Sequence, residues 1–366
     1  MRLHHTLPLL VAAILPDLGR AQSYAWSLRG YTEFRFYDYA GARTDPTEID
    51  LTVRPRFKLS FPENGDLVFE PQVAYAWGRN NDLFEDWGDV ATIERLYADV
   101  DYPKASVTFG KQALNWGSAL VFNPTDVFDD VFLRDTWAEN SGHPALKVAV
   151  PLGQTAEVVG LLASDDRFEE GLLAARGRAT FGQTEIALTA FRDPYRRADV
   201  YGFDVKGEAV VGLWLEAART EPWDDRDGFF RAVAGTDYSW KVRDGLYLAL
   251  QYYHDESGSR EIAGYDLAAL IRRERATLAR DYATLNGRLT FSQDLTLGTL
   301  TIGNLDDSSV LSTVYGEWTR IPHVTITVGG TWLGGKPGGE FNPPDIIDPQ
   351  GLLPTAIAYA WVRYYF

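Results

Sequence analysis

Arg54, Arg56 and Lys58 take every second position in the middle of IDLTVRPRFKLSF, residues 49–61. Arg29 and Arg35 precede them, and Arg363 stands near the end of the chain. Guanidinium groups stay charged at any physiological pH and present planar donors that suit carboxylate or phosphate. A second set is acidic. Asp126, Asp129, Asp130 and Asp135, with Glu139, lie in one long connection at about 115–143. Trp116, Phe122, Phe128, Phe132 and Trp137 share it, which is too apolar for a solvated tail. Connections of that length usually carry function or lack structure.

Other chemistries find less support. The chain has no Cys, so thiolate nucleophiles, thiolate metal sites and disulfides are excluded together. Beyond residue 21 the histidines are His143, His254 and His323, without the spacing of a metal set. His254 stands beside Asp255 and Ser257, but adjacency in sequence is not triad geometry. Asp224, Asp225 and Asp227 read as a solvated loop rather than a calcium site. Glycine-rich phosphate loops are absent. The expectation is therefore no enzyme, no metal and no cofactor. A net charge of -16 argues against nucleic acid as a partner.

The basic residues must be positioned by strands. In 49–61 the odd positions are Ile49, Leu51, Val53, Pro55, Phe57, Leu59 and Phe61, and the even ones are polar. Strict alternation predicts a strand with two unlike faces. The pattern recurs in about eighteen segments, of which 155–163 and 295–303 alternate weakly, so sixteen strands are also possible. Every second connection is tight, such as PENGD, YPKA, FGQT and RIPH, and those between are long and polar. This predicts an all-β, up-and-down antiparallel transmembrane barrel.

Placing one basic residue against lipid at mid-depth costs roughly 2–4 kcal/mol, so the Arg-Lys face must look into a wet interior. The Ile-Leu-Val-Phe face then meets lipid. Trp77, Tyr102, Trp240, Trp318, Trp332 and Tyr364 fall near strand ends, as interfacial girdles would. Ahead of the barrel, Arg2, the run LPLLVAAIL and Gly19-Arg20-Ala21 predict a signal peptide over 1–21, leaving a barrel over 22–366. Residues 261–280 carry a helical pattern in the seventh external loop, through Leu267, Leu270, Ile271 and Leu278. The last external loop, 334–351, is rich in Pro and Gly.

The chain as a whole resembles Gram-negative general porins and related outer-membrane channels. GKQALNWGSALVFNPTDVFDD, residues 110–130, is similar to a segment of poorly characterised porin-like barrels, in which G-[RK]-Q leads to W-G and then N-P-x-D. The matching residues are Gly110, Lys111, Gln112, Trp116, Gly117, Asn123, Pro124 and Asp126. The terminal Phe366 resembles the C-terminal signal of outer-membrane barrels, which implies contact with the insertion machinery. The resemblance implies an outer-membrane location among lipids and lipopolysaccharide, and a homo-oligomer is possible. It also implies a third external loop folded inward. That loop would set its carboxylates against Arg29, Arg35, Arg54, Arg56, Lys58 and Arg363, with a field across the gap. The expected function is passive diffusion of small hydrophilic solutes. The alternatives are a channel selective for anionic solutes and, less favoured, an outer-membrane enzyme.

Overall fold

Strands with one apolar and one polar face leave edges that must be closed before they can sit in lipid. The computed structural model closes them. It describes residues 24–366 apart from 42–46, 63, 78–89, 127, 129–140, 165–170, 195, 267–276 and 343–353. The expected signal peptide lies outside the described residues, as do Asp129, Asp130 and Asp135.

Eighteen strands form one sheet. The first six are β1 (Ala25–Ala40), β2 (Thr47–Phe61), β3 (Gly65–Trp77), β4 (Val90–Tyr102), β5 (Ala105–Gln112) and β6 (His143–Pro151). Around the far side run β7 (Ala156–Ser164), β8 (Gly171–Phe181), β9 (Thr184–Asp193), β10 (Ala198–Glu208), β11 (Gly212–Pro222) and β12 (Phe229–Trp240). The return is made by β13 (Gly245–Asp255), β14 (Asp281–Ser292), β15 (Leu295–Asn304), β16 (Val310–Trp318), β17 (Val324–Gly334) and β18 (Ala356–Tyr365). Each strand pairs antiparallel with its sequence neighbours, and β1 pairs with both β2 and β18. The weakly alternating segments are true strands, β7 and β15, so the count is eighteen rather than sixteen. A wall of this size is about 35 Å across.

Polarity is inverted, as the alternation requires. Leu188 and Val328 are 62% and 58% exposed on the outer face. Glu33, Arg54, Glu70, Arg176, Asp204 and Glu216 are buried on the inner one. The six predicted girdle aromatics are all exposed. Closure also holds the chain terminus. Gly30 and Phe366 exchange two backbone hydrogen bonds, each 3.0 Å. A Cβ on Gly30 would stand 2.9 Å from the Phe366 ring, so glycine leaves that ring room.

The predicted helix over 261–280 is not what the described part forms. Its first stretch makes a single 3-10 turn, Ile262–Gly264, and 267–276 lie outside the described residues. At the far end the Leu278 and Ala279 amides donate to the Tyr282 hydroxyl, at 3.1 and 2.7 Å, so a side chain takes donors that a helix would have used.

Candidate functional site

The inner face of β18, β1 and β2 carries the predicted basic residues. The register sets Glu33 opposite Arg363, Arg35 opposite Trp361, and Arg29 opposite Arg56. Glu33 binds Arg363 Nε at 2.6 Å and also pairs with Arg35. The Arg35 guanidinium lies 4.9 Å from the Trp361 ring centroid, and that of Arg363 lies 4.4 Å from that of Tyr31. Lys58 Nζ meets Asp66 Oδ2 at 2.9 Å. Arg29 is exposed and pairs with no carboxylate among the described residues. Structure thus brings all six basic residues onto one arc of wall, though most are matched with acids that the sequence reading did not pair with them.

The centre of this arc coincides with a break in the sheet. Pairing runs from Val53 with Val73 to Phe57 with Phe69, which sets Pro55 against Pro71. Neither proline has an N–H to give, so the ladder lapses there. Side chains bridge the lapse. Glu70 meets Arg54 Nε at 2.5 Å, Arg56 Nε at 3.8 Å and, from β4, Arg95 Nη1 at 3.9 Å. Three guanidinium groups thus share the Glu70 carboxylate. The Arg56 side chain, 41% exposed, carries its charge to the lumen surface.

Across the barrel, the connection after β5 folds inward. In the ring of eighteen, β11 stands nine strands from β2 in either direction, and β11 is where this loop docks. The Ser118 and Ala119 amides donate to Glu216 Oε2 at 2.8 and 3.3 Å. The Thr125 amide and hydroxyl donate to Glu216 Oε1 at 2.6 and 2.8 Å. The Leu120 amide donates to Gln251 Oε1 of β13 at 3.0 Å. Apolar contacts complete the seat. Phe122 stacks on Tyr253 at 4.6 Å, and Trp116 packs on Phe191 at 5.1 Å. Residues 114–126 and 128 therefore form a strap across β9 to β14, opposite the basic arc.

The motif residues turn out to build this strap. The Gln112 side-chain Nε2 donates to the carbonyls of Thr108, Gly110 and Ala145. Gly117 has φ +107, and a Cβ there would lie 2.9 Å from both Glu216 and Asn123. Asp126 accepts from the Trp116 amide at 2.7 Å and the Phe128 amide at 2.9 Å. It is the one predicted acidic residue among those described, and its carboxylate staples the loop to itself. Glu216 and Gln251 were missed in the sequence. A polar residue on an inner face of β11 or β13 carries no mark of what will dock on it.

The outer loops meet in a second buried polar cluster. Glu340 accepts from the Tyr282 hydroxyl at 2.5 Å, Asn304 Nδ2 at 2.9 Å and the Leu278 amide at 3.1 Å. Its own amide donates to Asp307 at 2.7 Å, and Asp307 also accepts from the Tyr265 hydroxyl at 2.9 Å. Burial, opposed by those three donors and reinforced by Asp307, pushes the Glu340 carboxyl up to about 7. Phe341 beside it joins the apolar cluster that contains Phe122.

The Ser-His-acid grouping near residue 254 does not assemble. His254 Nδ1 lies 2.7 Å from Asp281, its register partner on β14, while the Ser257 hydroxyl donates to Asp255 at 2.5 Å. Asp255 is buried on the inner face and His254 belongs to the opposite one.

No family model and no curated protein matches this sequence. Solved structures do. A triple mutant of the porin of Rh. blastica is 14% identical, covers 93% of this chain and 100% of its own, and has a TM-score of 0.51. OccD1 (OprD), solved as a double mutant, is 10% identical over 96% of this chain and 99% of its own, with a TM-score of 0.61. Acinetobacter baumannii OccAB1 is 9% identical over 96% and 98%, with a TM-score of 0.62. At such identities the likeness is one of fold: a closed antiparallel barrel of the kind built by outer-membrane porins.

Proposed function

We propose that this chain is an outer-membrane channel through which small hydrophilic solutes diffuse passively, narrowed at mid-depth between the inward strap and the basic arc. The observation that carries this reading is the placement of strap and arc on opposite sides of one polar lumen. Arg29, which pairs with no carboxylate among the described residues, and the half-exposed Arg56 make this arc of the wall electropositive, and such an arc favours anions over cations. In this reading the leader is removed on export and the insertion machinery reads the terminal Phe366. The exposed Leu, Val and aromatic belt then meets lipid and lipopolysaccharide.

Liposome swelling with sized sugars and amino acids tests passage, and planar-bilayer reversal potentials under a salt gradient test selectivity. Swelling that falls smoothly with solute size supports a diffusion channel. Failure to conduct ions or admit sugars would overturn it. A reading as a channel selective for anionic solutes is favoured by the guanidinium groups of Arg29 and Arg56, which reach the lumen surface side by side in the register. It requires saturable uptake of a carboxylate or phosphate solute rather than uptake that scales with size.

A further inference from the structure

Four of the strap's hydrogen bonds to the wall converge on one side chain. Glu216 is fully buried, and its two oxygens take four donors from Ser118, Ala119 and Thr125. Register sets Glu216 beside Asp204 on β10, itself buried and ion-paired with Arg176 at 3.0 Å. Two carboxylates and one guanidinium therefore lie together under the strap. The strap answers the surplus negative charge with N–H dipoles, not with a cation. A buried carboxylate is tolerable when such donors saturate it and costly when they leave.

The surrounding backbone is shaped for this contact. A Cβ at Gly117 would stand 2.9 Å from Glu216 Oε2, so glycine lets the strap backbone approach. On the wall, a Cβ at Gly202 would stand 2.5 Å from Thr125 Cγ2, so glycine there makes the seat for Thr125. Neither glycine follows from strand alternation. Both follow from a strap pressed onto Glu216.

We propose that Glu216 is the positioning residue of the constriction: its carboxylate holds Ser118–Thr125 against β10 and β11, and without that charge the strap leaves the wall and intermittently blocks the bore. The inference rests on the channel reading for its electrical consequence but not for its structural one. Glutamine at this position keeps the shape and one acceptor. Its NH2 group would face the Ser118 and Ala119 amides, donor against donor.

The test uses the full chain in planar bilayers. Glu216→Gln should raise the frequency of spontaneous closures at least about tenfold, as expected for loss of charge-assisted hydrogen bonds. Because the chain has no Cys, a tether can be added cleanly. The Cβ built at Gly202 lies 3.1 Å from that of Thr125, close to the span of a disulfide. Thr125→Cys with Gly202→Cys in the Glu216→Gln background should quiet the closures when oxidised and restore them on reduction. A Glu216→Gln channel as quiet as the parent overturns the proposal, as does a tether without effect. If the parent protein conducts nothing, the channel reading fails, and Glu216 is judged by hydrogen exchange in detergent. Amides 118, 119 and 125 must then exchange at least about tenfold faster in Glu216→Gln, and unchanged exchange overturns the assignment.

Discussion

Tyr282 links the outer loops to the inward strap: its hydroxyl donates to Glu340 Oε2 at 2.5 Å, and its ring centroid lies 5.6 Å from that of Phe122. Tyr282 is fully buried, so both contacts are made inside the barrel mouth. Strap and last loop thus share one apolar cluster and one phenol.

Docking of the last loop should depend on pH through Glu340. Its carboxyl is raised from 4.5 to about 7 in the folded chain, by burial first. A raised acid contributes stability that is complete below about 4.5 and is lost as pH rises through about 7. Hydrogen exchange over residues 335–342, corrected for intrinsic rates, should therefore be slower at about pH 5 than at about pH 8. Glu340→Gln should flatten that difference. An unchanged pH dependence in the variant would remove Glu340 as the cause.

Glu70 neutralises the buried Arg54. Glu70→Gln leaves that guanidinium without its close anion and should cost about 3–5 kcal/mol. Urea titration of the barrel refolded into lipid vesicles measures this. Replacing Arg54 and Glu70 together by Leu should restore the part of the loss due to Arg54, while Arg56 and Arg95 still lose the carboxylate they share.

Selectivity should follow the exposed end of the basic arc. Arg56→Ala with Lys58→Ala removes two half-exposed cations and keeps both members of the Arg54–Glu70 pair. The reversal potential under a salt gradient should move toward cation preference. A potential that stays put would show that the arc plays no part in choosing ions.

The two faces should respond oppositely to an added charge. Leu188→Arg, on the outer face of β9, should destabilise the barrel by roughly 2–4 kcal/mol. Asn286→Arg, in a lumenal recess of about 580 Å³ lined also by Tyr247, Arg288 and Tyr315, should leave stability nearly unchanged. Equal costs in the same vesicle-refolding assay would contradict the inverted polarity on which the channel reading depends.

The alternation in 49–61 and its repeats was enough to read the strand count to within two, the antiparallel order and the wet interior. Each follows from neighbours one or two residues apart, and a period of two is a local property. The basic arc was legible for the same reason, since Arg54, Arg56 and Lys58 share a face by parity alone. The helical pattern near 261–280 was also local, yet at its end Tyr282 takes the Leu278 and Ala279 amides.

What stayed hidden depends on closure. Glu216 meets Ser118 across 98 residues, and Leu120 meets Gln251 across 131. Nothing in GLWLEAARTEP marks its glutamate as the post for a loop begun a hundred residues earlier. Residue parity alone settles which face of the strongly alternating strands is wet. Only the closed barrel decided which wall the strap lies on, which acid each arginine meets and which carboxylate holds the strap, because those are set by position around a ring and not by spacing along a chain.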